Sequence, residues 1–205
     1  MANQTPIRAQ TQPRQVEPET LPPVVTLAEG AGLDPAQAQA LLGTKAASLA
    51  RLAGAGFPVP AGVVVTSAAT ADWDQTRACL LQAAAELTQR QGQRFAVRSS
   101  AAAEDLAGAS FAGQYETVLD VGLDELPRAV RHVVDSAASA RVSAYRRAHP
   151  QAAAADSSES GMAVLVQVMV AAEAAGVAFT ANPLTGDRDE VVITAVRGLG
   201  ERLVA

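Results

Sequence analysis

Short apolar runs broken by glycine, proline and polar clusters pattern this chain, and they alternate with longer stretches of helical period. Val24-Val25-Thr26-Leu27 predicts a first short strand. After the break at Gly30-Ala31-Gly32, Pro35 to Leu42 reads as a helical turn or a surface loop. Gly43-Thr44-Lys45 then opens a segment in which Ala46, Leu49, Ala50 and Ala53 share one helical face. Gly54 and Gly56 stop that helix, and Pro58 and Pro60 keep it from resuming. Gly62 to Thr66 is β-branched and predicts a buried strand, with Ser67 expected to cap a long helix running towards Gln91. Phe95-Ala96-Val97 predicts a strand that presents Arg98, Ser99 and Ser100 at its end. Val118 to Val121 predicts another strand, and Asp124 is expected to cap a helix with Pro127 in its first turns. Leu126, Val130, Val133, Ala137 and Ala144 form that helix's apolar stripe. Residues 151–161 are small and polar, a loop pattern. Strands are expected at 163–170, 176–180 and 190–196, with turns at Asn182-Pro183 and Thr185-Gly186-Asp187. The mixture, without an internal repeat, predicts an α+β fold.

Composition narrows what such a fold can be. The 205 residues suffice for one sizeable core and a second small lobe. Aromatic residues are only 3%, so the core must rest on Val, Leu and Ala. A net charge of −5 without a basic stripe argues against nucleic-acid binding, which needs a clustered positive face. The single cysteine, Cys79, excludes an internal disulfide and a Cys-cluster metal site, and its Ala/Leu-rich setting predicts a buried, inert thiol. No apolar run approaches the roughly 18 residues of a membrane span. Residues 1–23 carry Arg8 and Arg14 among Gln, Pro and Thr, with no apolar h-region. They read as a disordered polar leader on a cytoplasmic protein, with the folded domain at 24–205.

Candidate chemistry centres on residues 95–117. Arg98 and two hydroxyls are followed by Glu104 and Asp105, then by the small-residue stretch Gly108 to Gly113. Small residues let backbone N–H groups approach an anion, and a guanidinium can grip phosphate oxygens bidentately. Two common nucleotide fingerprints are absent. Gly43-Thr44-Lys45 lacks the order of a P-loop, and Val59 stands where the third glycine of a dinucleotide turn belongs. Lys45 at a helix start is either a solvated surface lysine or a cation reaching a phosphate bound there. Arg98 either pairs with Glu104 or Asp105 or serves the same anion. Gln167, inside an apolar run, is either satisfied by neighbouring backbone or lies near a nucleotide's base or sugar. His132 and His149 read as solvated, and Ser99 and Ser100 have no base nearby.

Four segments together resemble the N-terminal nucleotide-binding domain of the phosphoenolpyruvate synthase and pyruvate phosphate dikinase family, which rifampicin phosphotransferases share. They are Gly43 to Leu49 with Ala55 to Pro60; Val97 to Ser100 through Ser110 to Thr117; Val166 to Val170; and Gly176 to Pro183 through Gly198 to Glu201. Their order and spacing match over nearly the whole chain from Val24 onward. The resemblance implies an ATP-grasp-like domain that uses ATP and Mg²⁺. Its phosphoryl group would pass to a histidine on a separate swivelling domain, and on to pyruvate or another acceptor. Lys45 and Arg98 match the family's phosphate-binding lysine and arginine, Arg98 being the catalytic candidate. Gly113 and Thr117 fall in its glycine-rich loop over the phosphates. Gln167 and Met169 fall in the strand and hinge beside the adenosine. Such a set suits phosphoryl transfer, which is mostly positioning and charge neutralisation.

Departures from the pattern set further expectations. Thr44 stands where the family usually has a second glycine, and Ala102 where it often has threonine; tolerance is expected at Thr44. The family's metal-binding glutamate, a later glutamine and arginine, the phosphohistidine domain and the acceptor-binding barrel come after the Gly198-to-Glu201 block. A C-terminally incomplete domain is therefore expected, either a truncated product or a separately encoded half, unable to complete the reaction alone. An exposed apolar sheet edge would then drive association with a complementary chain or with itself. The rival expectation is a catalytically inactive nucleotide-sensing or interaction module.

Overall fold

Five of the strands predicted from apolar runs assemble into one antiparallel sheet of mixed order. A computed structural model describes residues 22–71, 73–88, 93–101, 117–136 and 162–203. The expectations for residues 1–21, Ala102, Glu104, Asp105, Gly113, Ala137, Ala144 and His149 lie outside them. The chain divides into two units, Met1–Met169 and Val170–Ala205.

In the first unit the strands are β1 (Val24–Thr26), β2 (Gly62–Val65), β3 (Phe95–Ser100), β4 (Thr117–Val121) and β5 (Ala163–Val168). Their spatial order is β1-β2-β5-β3-β4, with every neighbouring pair antiparallel. The last strand in sequence thus lies at the centre, with Val64 opposite Leu165 and Val97 opposite Val166. Alternation explains why both sides of these strands are apolar. Val63, Val65, Phe95, Val97, Val164 and Val166 face α3 (Trp73–Leu87) and α4 (Leu126–Ser136), which bury Leu80, Ala84, Leu126, Val130 and Val133 against them. Val64, Ala163 and Leu165 face the opposite way, towards the one-turn α1 (Leu27–Gly30) and α2 (Pro35–Gly54), which contribute Leu42, Ala46 and Ala50. Helices on both faces make these central strands read as continuous apolar runs.

Local chemistry sets the helix ends. The Thr26 hydroxyl accepts from the Glu29 N–H while the Glu29 carboxylate accepts from the Thr26 N–H, a capping box. Asp34 caps α2 by accepting from the Ala36 and Gln37 N–H groups at 3.0 and 3.4 Å, with Pro35 in the first turn. The expected turn at Pro35 to Leu42 and the expected helix after Gly43 are two segments of α2, divided by a kink at Gly43. Gly56, at φ +86°, follows the helix end.

Several expectations are corrected. Ser67 does not cap α3. It opens a short 3₁₀ segment, Ser67–Ala71, and its hydroxyl donates to the Ala40 carbonyl at 3.1 Å. β3 does not end at Val97 but continues through Arg98, Ser99 and Ser100, because β5 pairs with it to Ala163. Before α4, the Glu125 carboxylate accepts from the Gly122 N–H at 2.8 Å. Cys79 is half-buried against the core rather than fully enclosed. Pro23, placed in the leader by sequence, is tied to the sheet, its carbonyl accepting from the Thr66 N–H at 3.0 Å.

The second unit is a hairpin of β6 (Ala174–Phe179) and β7 (Val192–Arg197), followed by a 3₁₀ turn at Gly200–Leu203. Its connecting loop holds the predicted turns. The Asn182 side-chain oxygen accepts from Leu184 N–H and Thr185 N–H, and Gly186 takes φ +76°. Phe179, Leu184, Val191 and Ile193 are exposed.

Candidate functional site

Gly43 is where the chain brings two distant segments together. Its φ of +74° and ψ of +167° belong to a region open essentially to glycine. A Cβ built there would lie 1.8 Å from the Ser100 carbonyl oxygen, so helix and strand approach more closely than any side chain permits. Three contacts follow directly from that approach. Thr44 N–H donates to the Ala101 carbonyl at 3.2 Å, and Ala46 N–H to the Ser100 hydroxyl at 3.0 Å. The Lys45 ammonium donates to the Ser99 carbonyl at 3.1 Å. Lys45 therefore lies in the first turn of the second helical segment of α2, at the end of β3. A cation at a helix N-terminus opposes the helix dipole, and an anion bound there would reverse that balance.

Arg98 lies two residues back from Ser100 on the same face of the sheet, the face that α2 covers. Leu165 of β5 is opposite it on one side and Thr117 of β4 on the other. Its neighbours in β3 are buried while Arg98 itself is half-buried. Its Nε is buried and, among the described residues, has no hydrogen-bond partner. An orphaned donor on a charged group is expensive, on the order of 1–3 kcal/mol or more, and a phosphate oxygen would satisfy it. This is the observation on which an anionic ligand fits these residues. The alternative partners, Glu104 and Asp105, lie outside the described residues.

Further along the same face comes Gln167, opposite Ala96 and Gly62. It is 8% exposed, and its side-chain nitrogen donates to the Pro60 carbonyl at 3.0 Å. The backbone-satisfied reading thus holds for that nitrogen. Met169, just past β5, is pinned at three points. Its N–H donates to the Arg94 carbonyl at 2.9 Å, its carbonyl accepts from the Gln93 amide at 3.3 Å, and its sulfur accepts from the Asp120 N–H at 3.0 Å. Asp120, at φ +58°, is clasped by Arg94, which binds its carboxylate at 2.9 Å and also donates to its carbonyl. From Ser100 back to Arg94, at about 3.4 Å per residue, the track of candidate residues extends for roughly 20 Å.

The structure therefore brings Lys45, Arg98, Thr117 and Gln167 to one face of three adjoining strands, with Met169 at the far end. Gly113 lies outside the described residues. The concavities elsewhere, one beside Thr44, Ser48 and Arg51 and one beside Asp120, Arg128 and His132, do not include Lys45 or Arg98. Sequence reasoning missed the Arg94–Asp120 clasp and the Ser100 contact with Ala46, because each joins segments far apart in the chain. Among the described residues, no group of three His, Cys, Asp or Glu side chains is placed to hold a metal ion. Among them also, no helix is long and apolar enough to cross a membrane.

Comparison with known proteins bears on this arrangement. Residues 73–205, more than half of the chain, match the family described as pyruvate phosphate dikinase, AMP/ATP-binding domain. The phosphoenolpyruvate synthase of Pyrococcus furiosus is 48% identical over 128 residues, covering 60% of this chain and 15% of that protein. A prodigiosin-synthesizing transferase of Serratia marcescens is 37% identical over 191 residues, covering 80% of this chain and 21% of that protein. A rifampicin phosphotransferase of a Streptomyces species is 45% identical over 119 residues, covering 57% and 13% respectively. The chain thus spans less than a quarter of the length of these relatives.

Proposed function

Since the chain belongs to the pyruvate phosphate dikinase AMP/ATP-binding domain family, we propose that the α2-covered face of its sheet binds ATP for phosphoryl transfer. Lys45 and Arg98 take the phosphates, Thr117 stands beside them with the loop that includes Gly113, and Gln167 and Met169 lie on the adenosine side. The observation that carries this reading is the buried Nε of Arg98, which has no partner among the described residues, on the face shared with Lys45. The domain is of ATP-grasp-like type. In a longer chain or with a complementary one, the phosphoryl group passes to a histidine on a separate domain and then to pyruvate or another acceptor.

The chemistry asked of these residues is modest. Lys45 and Arg98 hold the phosphates and offset negative charge as it shifts during transfer, Arg98 being the catalytic residue. Mg²⁺, if bound, would supply further neutralisation of the phosphate charge. Among the described residues, no group of three His, Cys, Asp or Glu side chains is placed to hold it. The sensor reading is not favoured, since phosphoenolpyruvate synthases and rifampicin phosphotransferases are among the relatives.

The test is calorimetric titration of the chain with ATP, with and without Mg²⁺, beside Lys45→Ala and Arg98→Ala. Heat is the appropriate signal, because Trp73 packs with the core on the opposite face, its ring 5.2 Å from the Arg131 guanidinium. Loss of one charge-assisted bond to phosphate, about 1.5–3 kcal/mol, predicts roughly 10- to 150-fold weaker binding for each variant. A folded chain that binds no ATP, or variants that bind as well as the parent, would refute the proposal.

A further inference from the structure

We infer that Ser100 is a positioning residue for Lys45, acting as a helix cap supplied from the neighbouring strand. The inference rests on the ATP reading above and names what sets the spacing of its two cations. An N-cap side chain normally comes from the residue just before the helix and accepts from the second or third N–H group within it. The residue in that place here is Gly43, which has no side chain to offer. It cannot have one, because the Ser100 carbonyl oxygen and hydroxyl lie 1.8 and 2.6 Å from where a Cβ would sit. Ser100 itself fills the missing role. Its hydroxyl, on a residue 1% exposed, accepts from the N–H of Ala46, the third residue after Gly43, at 3.0 Å in a buried contact.

The consequence concerns geometry rather than contact with a nucleotide. Ser100 and Arg98 belong to one strand and share one face, while Lys45 lies in the first turn of the helical segment that Ser100 caps. The hydroxyl therefore ties the start of the lysine-bearing helix to the arginine-bearing strand across 54 residues of sequence. Lys45 is further aligned by its own bond to the Ser99 carbonyl. The separation of the two cations is thus set by protein contacts before any phosphate arrives. Such preorganisation strengthens binding by reducing what must be ordered on association.

A thermodynamic cycle tests this. Ser100→Ala and Lys45→Ala are made singly and together, and ATP affinity is measured by calorimetry on each folded chain. Ser100→Ala is expected to weaken ATP about tenfold in the parent but less than twofold when Lys45 is already alanine. Hydrogen exchange at the Ala46 amide should accelerate in Ser100→Ala whether or not ATP is present. Ser100→Cys, which keeps the size and weakens the acceptor, supplies the same comparison if the alanine variant does not fold. Equal losses in both backgrounds, or none in either, would overturn the positioning role while leaving the ATP reading intact. If Lys45→Ala alone leaves ATP affinity unchanged, the ATP reading falls and this inference with it.

Discussion

Among the described glycines of positive φ, Gly43 is the one where replacement by alanine should be most disruptive, because it breaks the joint between α2 and β3. Two terms contribute. Holding a non-glycine residue at φ +74°, ψ +167° costs on the order of 1–3 kcal/mol. The new Cβ also falls 1.8 Å from a backbone oxygen, and no rotamer change can move a backbone atom aside. Helix and strand must separate, which sacrifices the bonds from Thr44 N–H and Ala46 N–H to residues 101 and 100, at about 1 kcal/mol each. The lower entropy of the unfolded alanine chain offsets roughly 0.4–1 kcal/mol. The expected net loss is about 3 kcal/mol, a large part of the roughly 5–15 kcal/mol that holds a typical domain. Urea unfolding followed by far-ultraviolet circular dichroism reads it. At a slope near 2 kcal/mol per molar, the midpoint should fall by about 1.5 M. Gly56→Ala is the internal control, because Gly56 also has positive φ but nothing lies within 4 Å of its added Cβ. It should lose only the conformational part, about 1 kcal/mol. Equal midpoints for the two variants would refute the steric argument.

Substitutions at three further positions probe features away from that joint. Asp34→Ala removes the carboxylate that caps α2 and should cost about 1 kcal/mol in urea unfolding. At Asp120, asparagine tolerates the left-handed backbone and should stay within about 0.5 kcal/mol of the parent, whereas valine should lose about 2 kcal/mol. Similar midpoints for those two would show that the conformation at residue 120 is not held as described. Thr76→Val deletes a buried 2.7 Å bond from its hydroxyl to the Ala69 carbonyl, and a loss of about 1–3 kcal/mol is expected from thermal or urea unfolding.

Local signals in the sequence specify most of the elements. Val63 to Val65 and Val164-Leu165-Val166 are continuous apolar runs of the kind a strand covered on both faces accommodates, and both lie in buried strands. The spacing of Leu126, Val130 and Val133 marked the buried face of α4, and glycine and proline marked the end of α2. These signals are local: side-chain period and turn chemistry operate over a few residues. The candidate residues were also legible, through the four segments that resemble a known family.

Tertiary structure decided what those residues do to one another. Nothing near Arg98 in sequence shows that its Nε is buried without a partner, because burial is made by strands that arrive from elsewhere in the chain. Ser67 has the chemistry of a helix cap, yet its hydroxyl is taken by Ala40, while Ser100, at the end of a strand, accepts from a helical N–H 54 residues earlier. Gly43 looked like a failed phosphate-loop motif and proved to be the point of closest backbone approach. A hydroxyl, a guanidinium or a missing Cβ has a role only when a partner is present, and here each partner lies on a different element.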